Sequence, residues 1–389
     1  MGRYALFIER FSVLEIYLDN SATTKVCDTA IEYAREALEK SWHNPSSLYG
    51  AGMQAERLVS RTRTAVAKYL GCREDEVFFT GCGTEANNTA IFGAAEHGKK
   101  RGNKIVTTSV EHPSVAEPIN ELERRGFHVV RLKVDSSGKI NETELKNAID
   151  KNTILVSIML VNNESGAIMP VRTAADTIKA VGAPALLHCD AVQAFGKIPV
   201  DVNKLGVDLL SISGHKLHAP KGVGVLYKSK KVHIPPLLLG GGQESGLRSG
   251  TEAVPSIYAL CGALKELGDI NTRLKAITEL NAYGRKKLSE LDGVVFNSSE
   301  DALPYIINIS VLGYRSETLL HFLEADGIYV SSGSACSKGK ASAVLTEMGF
   351  DKERADSALR ISLSRYNKRE DFDKLCCSLK AAQDRLRKR

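Results

Sequence analysis

The sequence predicts an α/β fold: a large domain on a mostly parallel, seven-stranded sheet with helices on both faces, then a smaller α+β domain. Three observations carry this. Strand-like apolar runs alternate with helical patterns through residues 77–227, as β-α-β units of a parallel sheet require. At 389 residues the chain is too long for one small core, so two domains are expected. Beyond Gly250 the alternation stops and long helical stretches take over.

In chain order, Leu18-Asp19-Asn20-Ser21-Ala22-Thr23-Thr24 precedes a helix over 28–41. A polar loop, 42–52, leads into a second helix ending near Leu70. Seven strands follow, at 77–80, 104–109, 128–133, 154–161, 185–189, 207–212 and 223–227, with helices between them such as 85–100 and 113–125. A helical region over 254–291 is interrupted at Gly268. A strand at 305–311, another helix, a glycine-serine loop around Gly333 and closing helices complete the chain. The domain boundary is expected near residue 271. Residues 24–271 then form the large domain, and 1–23 with 272–389 the small one.

Composition excludes several classes of function. A hydrophobic fraction of 43% with ordinary charge content describes a folded, soluble protein. The 52 basic and 46 acidic residues are mixed along the chain, and the net charge of +6 suits anionic small ligands. No aromatic-interleaved basic patch is present, so direct nucleic-acid binding is not expected. The basic C-terminus, 385–389, reads as a solvated helix end. No run is long enough to span a bilayer, and the apolar stretch at 4–8 is too short for a secretory signal before Glu9 and Arg10 interrupt it. A cytoplasmic location is expected. The eight cysteines form no regular framework, so they read as reduced thiols, mostly small buried hydrophobes, with no metal site.

In open α/β sheets, ligands bind beyond the carboxyl ends of the strands. His112 follows the strand 104–109, Asn163 follows 154–161, Asp190 follows 185–189 and Lys216 follows 207–212. A lysine after a strand is ordinarily a solvated surface residue; here its company matters. Gly81-Cys82-Gly83-Thr84-Glu85-Ala86 joins a strand to a helix, and its amides suit a phosphate. The same stretch fits the dinucleotide pattern G-x-G-x-x-A, and Thr84 also fits a plain helix N-cap. Against a dinucleotide, Glu111 lies far downstream for a ribose contact, and Asp190 and Lys216 would have no task. Together the set points to pyridoxal 5'-phosphate held by Lys216 as a Schiff base. Asp190 would keep the pyridine nitrogen protonated, Gln193 would donate to the ring oxygen, and His112 would stack on the ring and handle protons.

The motifs Thr84-Glu85, Glu111-His112, Asn162-Asn163-Glu164, Asp190-Ala191-Val192-Gln193, Ser213-Gly214-His215-Lys216 and Arg248-Ser249-Gly250-Thr251 resemble the cysteine desulfurases, the NifS/IscS branch of the class V aminotransferases. The likeness runs in order from about Tyr17 to Arg365. It implies a homodimeric fold-type I enzyme that takes sulfur from L-cysteine and releases L-alanine. Lys216 would carry the cofactor and shuttle the Cα proton. Gly83, Thr84, Ser213 and His215 would hold the phosphate, with Thr251 reaching in from the other subunit. Asn163 and Arg360 would hold the substrate carboxylate, the latter through a planar bidentate fork.

Cys336 would decide the reaction. It is the one thiol in a loop of small residues, 331–340, and Lys338 and Lys340 would favour its thiolate. Such a loop lets a nucleophile take the substrate sulfur as a persulfide and then swing away. The stretch from Cys336 to Val344-Leu345 is a few residues shorter than in housekeeping members of the family. That puts a dedicated acceptor, such as a tRNA- or cofactor-thiolation enzyme, on a par with an iron-sulfur scaffold protein. A selenocysteine lyase is the sibling reading, separated by comparing turnover on the two amino acids. An aminotransferase would have no use for the loop cysteine.

Overall fold

A computed structural model describes residues 15–332 and 342–388. Its strands are β1 (Ile16–Tyr17), β2 (Val77–Thr80), β3 (Lys104–Thr108), β4 (His128–Leu132), β5 (Thr153–Ser157), β6 (Leu186–Asp190), β7 (Leu209–Ser213), β8 (Gly224–Lys228), β9 (Val294–Phe296), β10 (Ile306–Val311), β11 (Ile328–Tyr329) and β12 (Ala358–Ser362). Seven of them form one sheet in the order β2-β8-β7-β6-β5-β3-β4. Only β8 runs against the others, pairing antiparallel with both β2 and β7.

The central strands β5, β6 and β7 are buried at every residue, which is why they read as continuous apolar runs. Alternate side chains feed two cores: Leu209 packs on one face beside Ala90 and Ile91, and Leu210 on the other beside Val156 and Leu187. The alanine-rich helix Gly83–Gly98 lies on the first face. Edge strand β4 is half exposed. The run expected over 154–161 is regular strand only to Ser157. Ile158 and Leu160 still donate to carbonyls of β6, and then a Val161–Ile168 bridge closes a tight loop.

The expected helix over 254–291 is two helices, Val254–Leu267 and Ile270–Ser289, parted at Gly268 with φ 58°. The first packs on the helices Asp28–Lys40 and Gly50–Leu70; the second packs on Arg369–Arg385 and β9. A second sheet, β12-β10-β9, is antiparallel, and β1 pairs with β11.

The segment 18–24 straps the two sheets together. Leu18 O accepts from Ser362 N at 2.6 Å and Ser21 N donates to Ser362 Oγ at 2.8 Å, both on β12. Farther along, Thr24 N donates to His215 O at 3.0 Å, beside the site lysine.

Candidate active site

The parallel strands end on one rim, and a cavity of about 260 Å³ opens there. Gly83, Thr84, His112, Asn163, Asp190, Gln193, Ser213, His215, Lys216 and Arg360 all line it, so ten of the expected site residues converge. Thr251 does not; it is exposed elsewhere on this chain. Cys336 lies outside the described residues.

At one end, the 16-residue helix Gly83–Gly98 points its N-terminus into the cavity. The N-cap is Cys82, fully extended and without a side-chain cap, so Thr84 is not the cap expected from its residue type. Thr84 falls within the first turn because Gly83 already starts the helix. The uncapped amides therefore remain to hold an anion. Gly83 permits the approach: a Cβ there would lie 3.1 Å from both Ser213 Cβ and Val192 Cγ2. His215 Nδ1 engages Thr23 Oγ1 at 3.1 Å, leaving Nε2 for a ligand. Burial, with Lys216 and Lys221 adding repulsion, pushes the His215 pKa down to about 4.

At the other end is Asp190, the last residue of β6 and buried. Its Oδ1 accepts from Val192 N at 2.9 Å and its Oδ2 from Asn87 Nδ2 at 2.8 Å. Asn87 also donates to Ser114 Oγ, which lies 2.8 Å from His112 Nδ1. His112 caps the helix Pro113–Arg124, accepting from Ser114 N at 3.1 Å. The capping and active-site readings of this histidine thus hold together. That backbone donor makes Nδ1 an acceptor, so a neutral ring carries its proton on Nε2. Burial holds the His112 pKa below its ordinary value; Asp190 opposes this and Lys216 adds to it.

Lys216 stands between the two ends, on a single helical turn after β7. Its Nζ donates to the carbonyls of Ser21 at 2.6 Å and Ala22 at 2.7 Å. Gln193 Nε2 also donates to Ser21 O, at 3.0 Å. Arg360 comes from β12 and is 1% exposed. Its Nη2 meets Asp19 Oδ1 at 2.7 Å and its Nη1 donates to Asn163 O at 3.0 Å. Arg360 Nε and Ser21 Oγ are buried without a partner among the described residues. These orphans and the fork suit a carboxylate. The roots of the Cys336 stretch are close by: Ser331 exchanges backbone hydrogen bonds with Arg360, and Ser342 Oγ donates to Glu164.

The class-V aminotransferase family model matches residues 16–375. The chain belongs to the class-V aminotransferase family. A NifS/IscS protein homologue of Lactobacillus delbrueckii subsp. bulgaricus is 43% identical, over 92% of this chain and 94% of its own length. A protein of Methanosarcina thermophila named cysteine desulfurase IscS is 40% identical, over 92% of this chain and 90% of its own. Among solved structures, a NifS-like protein superposes with a TM-score of 0.91 at 38% identity, covering 96% of this chain and all of the other. SspA, solved in complex with cysteine, gives 0.81 at 31%, covering 91% of this chain and all of the other.

The fold expected from the resemblance is thus the fold of this class-V chain. The cysteine reading needs one correction. Of the seven described thiols, Cys82 and Cys377 are exposed, and Cys82 lines the cavity. The sequence reading also gave no site role to Asp19, Ser21, Ala22, Asn87 and Ser114, and weighed Glu111 only as a ribose contact and as part of the Glu111-His112 motif. A polar Asn87 in the alanine-rich stretch Gly83–Gly98 was the one available signal.

Proposed function

We propose that the chain is a pyridoxal 5'-phosphate-dependent cysteine desulfurase that takes sulfur from L-cysteine, releases L-alanine and carries the sulfur as a persulfide on Cys336. The observation that supports this most is the convergence of Lys216, Asp190, His112 and Arg360 on one cavity whose far end is an uncapped helix N-terminus.

The donor set fits the cofactor. The first-turn amides, Thr84, Ser213 and His215 would hold its phosphate, Asp190 its ring nitrogen, Gln193 its ring oxygen and Lys216 its aldehyde carbon. Bound there, it would supply an electron sink for charge developing at the substrate Cα. The chain's own residues would do the rest. Arg360 and Asn163 orient the substrate carboxylate, which fixes the Cα–H bond toward Lys216. Lys216 Nζ moves the proton at Cα, and His112 Nε2, the ring nitrogen its cap leaves unused, would handle a further proton.

The Cys336 thiolate attacks the substrate Sγ; the Cβ–Sγ bond breaks, and its electron pair stays with the organic fragment. One proton, the one Cys336 gave up on becoming a thiolate, is taken up at Cβ and completes L-alanine. The substrate thiol's own proton stays with the transferred sulfur, and Cys336 holds it as a persulfide for a protein acceptor. Thr251 would serve the partner subunit's site in a homodimer, in keeping with its exposure here. The division near residue 271 is part of the same reading: the parting at Gly268 separates a helix packed on the large sheet's side from one packed on β9. No described helix is long and apolar enough to cross a membrane, and a cytoplasmic enzyme is the reading we adopt.

The test is sulfide and alanine release from L-cysteine with a reductant present. Wild type and Cys377→Ala, altered on an exposed thiol of the closing helix, should both turn over. Cys336→Ala should retain the bound chromophore and lose sulfide release. Equal release from Cys336→Ala would remove the persulfide step; a wild type without chromophore would remove the cofactor.

A further inference from the structure

Behind Lys216, away from the cavity just described, lies a second cavity of about 20 Å³. Its wall includes Lys197, His218, Arg273, Tyr305 and Arg365, with Lys216 shared between the two spaces. No aspartate or glutamate lines it. Arg365 is neutralised by Glu266, and His218 is held neutral by burial, its Nδ1 meeting Lys25 O at 2.8 Å. Asp269 attracts Arg273 only weakly against the burial that opposes its charge. Lys197 Nζ donates to the neutral amide oxygen of Gln193 at 2.7 Å, and burial, with Lys216 and Arg360 adding repulsion, pushes its pKa down to about 7.

Two polar atoms in this wall are orphaned. The hydroxyl of Tyr305, a residue only 4% exposed, has no hydrogen-bond partner among the described residues, and neither has Arg273 Nη2. Both are donors, and they do not bond each other. The cavity that both residues line has room for about one small species and is too small for a phosphate or sulfate.

We propose that this cavity binds one small monovalent anion of the halide class, held by the Arg273 guanidinium and the Tyr305 hydroxyl, with Lys197 in the same wall. A water would satisfy the two donors but leave the half-buried Arg273 guanidinium with no counter-charge in the cavity wall, and partly desolvated charge without a partner is costly. A halide accepts both hydrogen bonds and balances the charge. It would also offset the repulsion between Lys197 and Lys216, which share the space behind the active site. The proposal stands whether or not the chain is a desulfurase.

The experiment uses purified, cofactor-loaded protein and chloride as the probe, with gluconate holding ionic strength constant. Chloride NMR should show a saturable excess linewidth that bromide competes away. Crystals soaked in bromide should give an anomalous peak between Arg273 and Tyr305. Arg273→Gln should abolish the broadening. Tyr305→Phe, which removes a single oxygen, should weaken binding about tenfold, as loss of a hydrogen bond to a charged group does. Linewidths equal to the gluconate baseline, with an ordered water and no anomalous peak, would overturn the proposal. So would broadening that is unchanged in both variants.

Discussion

Asn87 Nδ2 lies 2.8 Å from Asp190 Oδ2, inside the protein, and the same amide nitrogen reaches Ser114 Oγ at 2.8 Å. One amide group thus orients the Asp190 carboxylate, proposed above for the ring nitrogen, and, through Ser114, the imidazole of His112. Asn87→Leu keeps the volume and removes both donations. A buried carboxylate losing one donor should cost about 1–3 kcal/mol of stability, read from urea unfolding of the cofactor-free chain. Cofactor loss on dialysis against a carbonyl trap should be about tenfold faster, since roughly 1.4 kcal/mol of holding energy goes with the oriented carboxylate. An unchanged dialysis rate would confine Asn87 to a structural role.

Arg360 is poised by two protein acceptors, Asp19 Oδ1 and Asn163 O, and still carries an orphaned Nε. Arg360→Lys retains the charge and loses the fork. We expect kcat/KM for L-cysteine to fall about 10- to 100-fold, mostly through KM, with the cofactor spectrum intact, because a point charge cannot reproduce bidentate contact. A fall in kcat alone would place Arg360 outside the carboxylate site. Arg360→Ala is a poorer probe, since stranding the half-buried Asp19 carboxylate should also cost about 1–3 kcal/mol.

Gly224 opens β8 against the phosphate-end turn: a Cβ there would sit 2.4 Å from Cys82 C and 2.6 Å from Thr80 Oγ1. The Thr80 side chain could turn, but the Cys82 carbonyl, with its oxygen at 2.5 Å, is backbone and cannot swing aside. Gly224→Ala should destabilise by about 1–3 kcal/mol through overpacking, and should lower phosphate-end affinity by displacing Cys82 and the amides that follow. Isothermal titration of the cofactor-free variant with inorganic phosphate checks the second half; affinity equal to wild type would show that the turn absorbs the clash.

Much of the site was legible because strands buried on both faces announce themselves, and their carboxyl ends gather on one rim. His112, Asn163, Asp190 and Lys216 were found that way. Asp190 was expected just after its strand and is instead the strand's last residue. What escaped reading is physical in each case. The carbonyls of Ser21 and Ala22 hold Lys216 through backbone atoms that have no side-chain signature. Thr84 was read as a cap on residue preference, but the glycine before it already takes helical geometry. Thr251 does not line this chain's cavity, and Cys336 lies outside the described residues, so chemistry alone speaks for each.

Glu111 makes the acid–base behaviour of the site testable apart from turnover. It is buried between Thr108 Oγ1 and Met159 N, both donating to Oε1, while Oε2 has no partner among the described residues. Burial raises its pKa to about 8; the two donors oppose the shift and Asp190 adds to it. The folded chain therefore keeps a proton that the unfolded chain releases, throughout the window between 4.5 and about 8. The stabilisation is complete below that window and is lost as pH rises through it. Glu111→Gln preserves the two accepted hydrogen bonds and cannot ionise. In urea unfolding of cofactor-free protein, the variant should gain on wild type by on the order of 1–3 kcal/mol between about pH 5 and about pH 8. Parallel pH profiles would mean that the folded Glu111 ionises like an exposed carboxylate, and that Asp190 has a second negative charge for a neighbour.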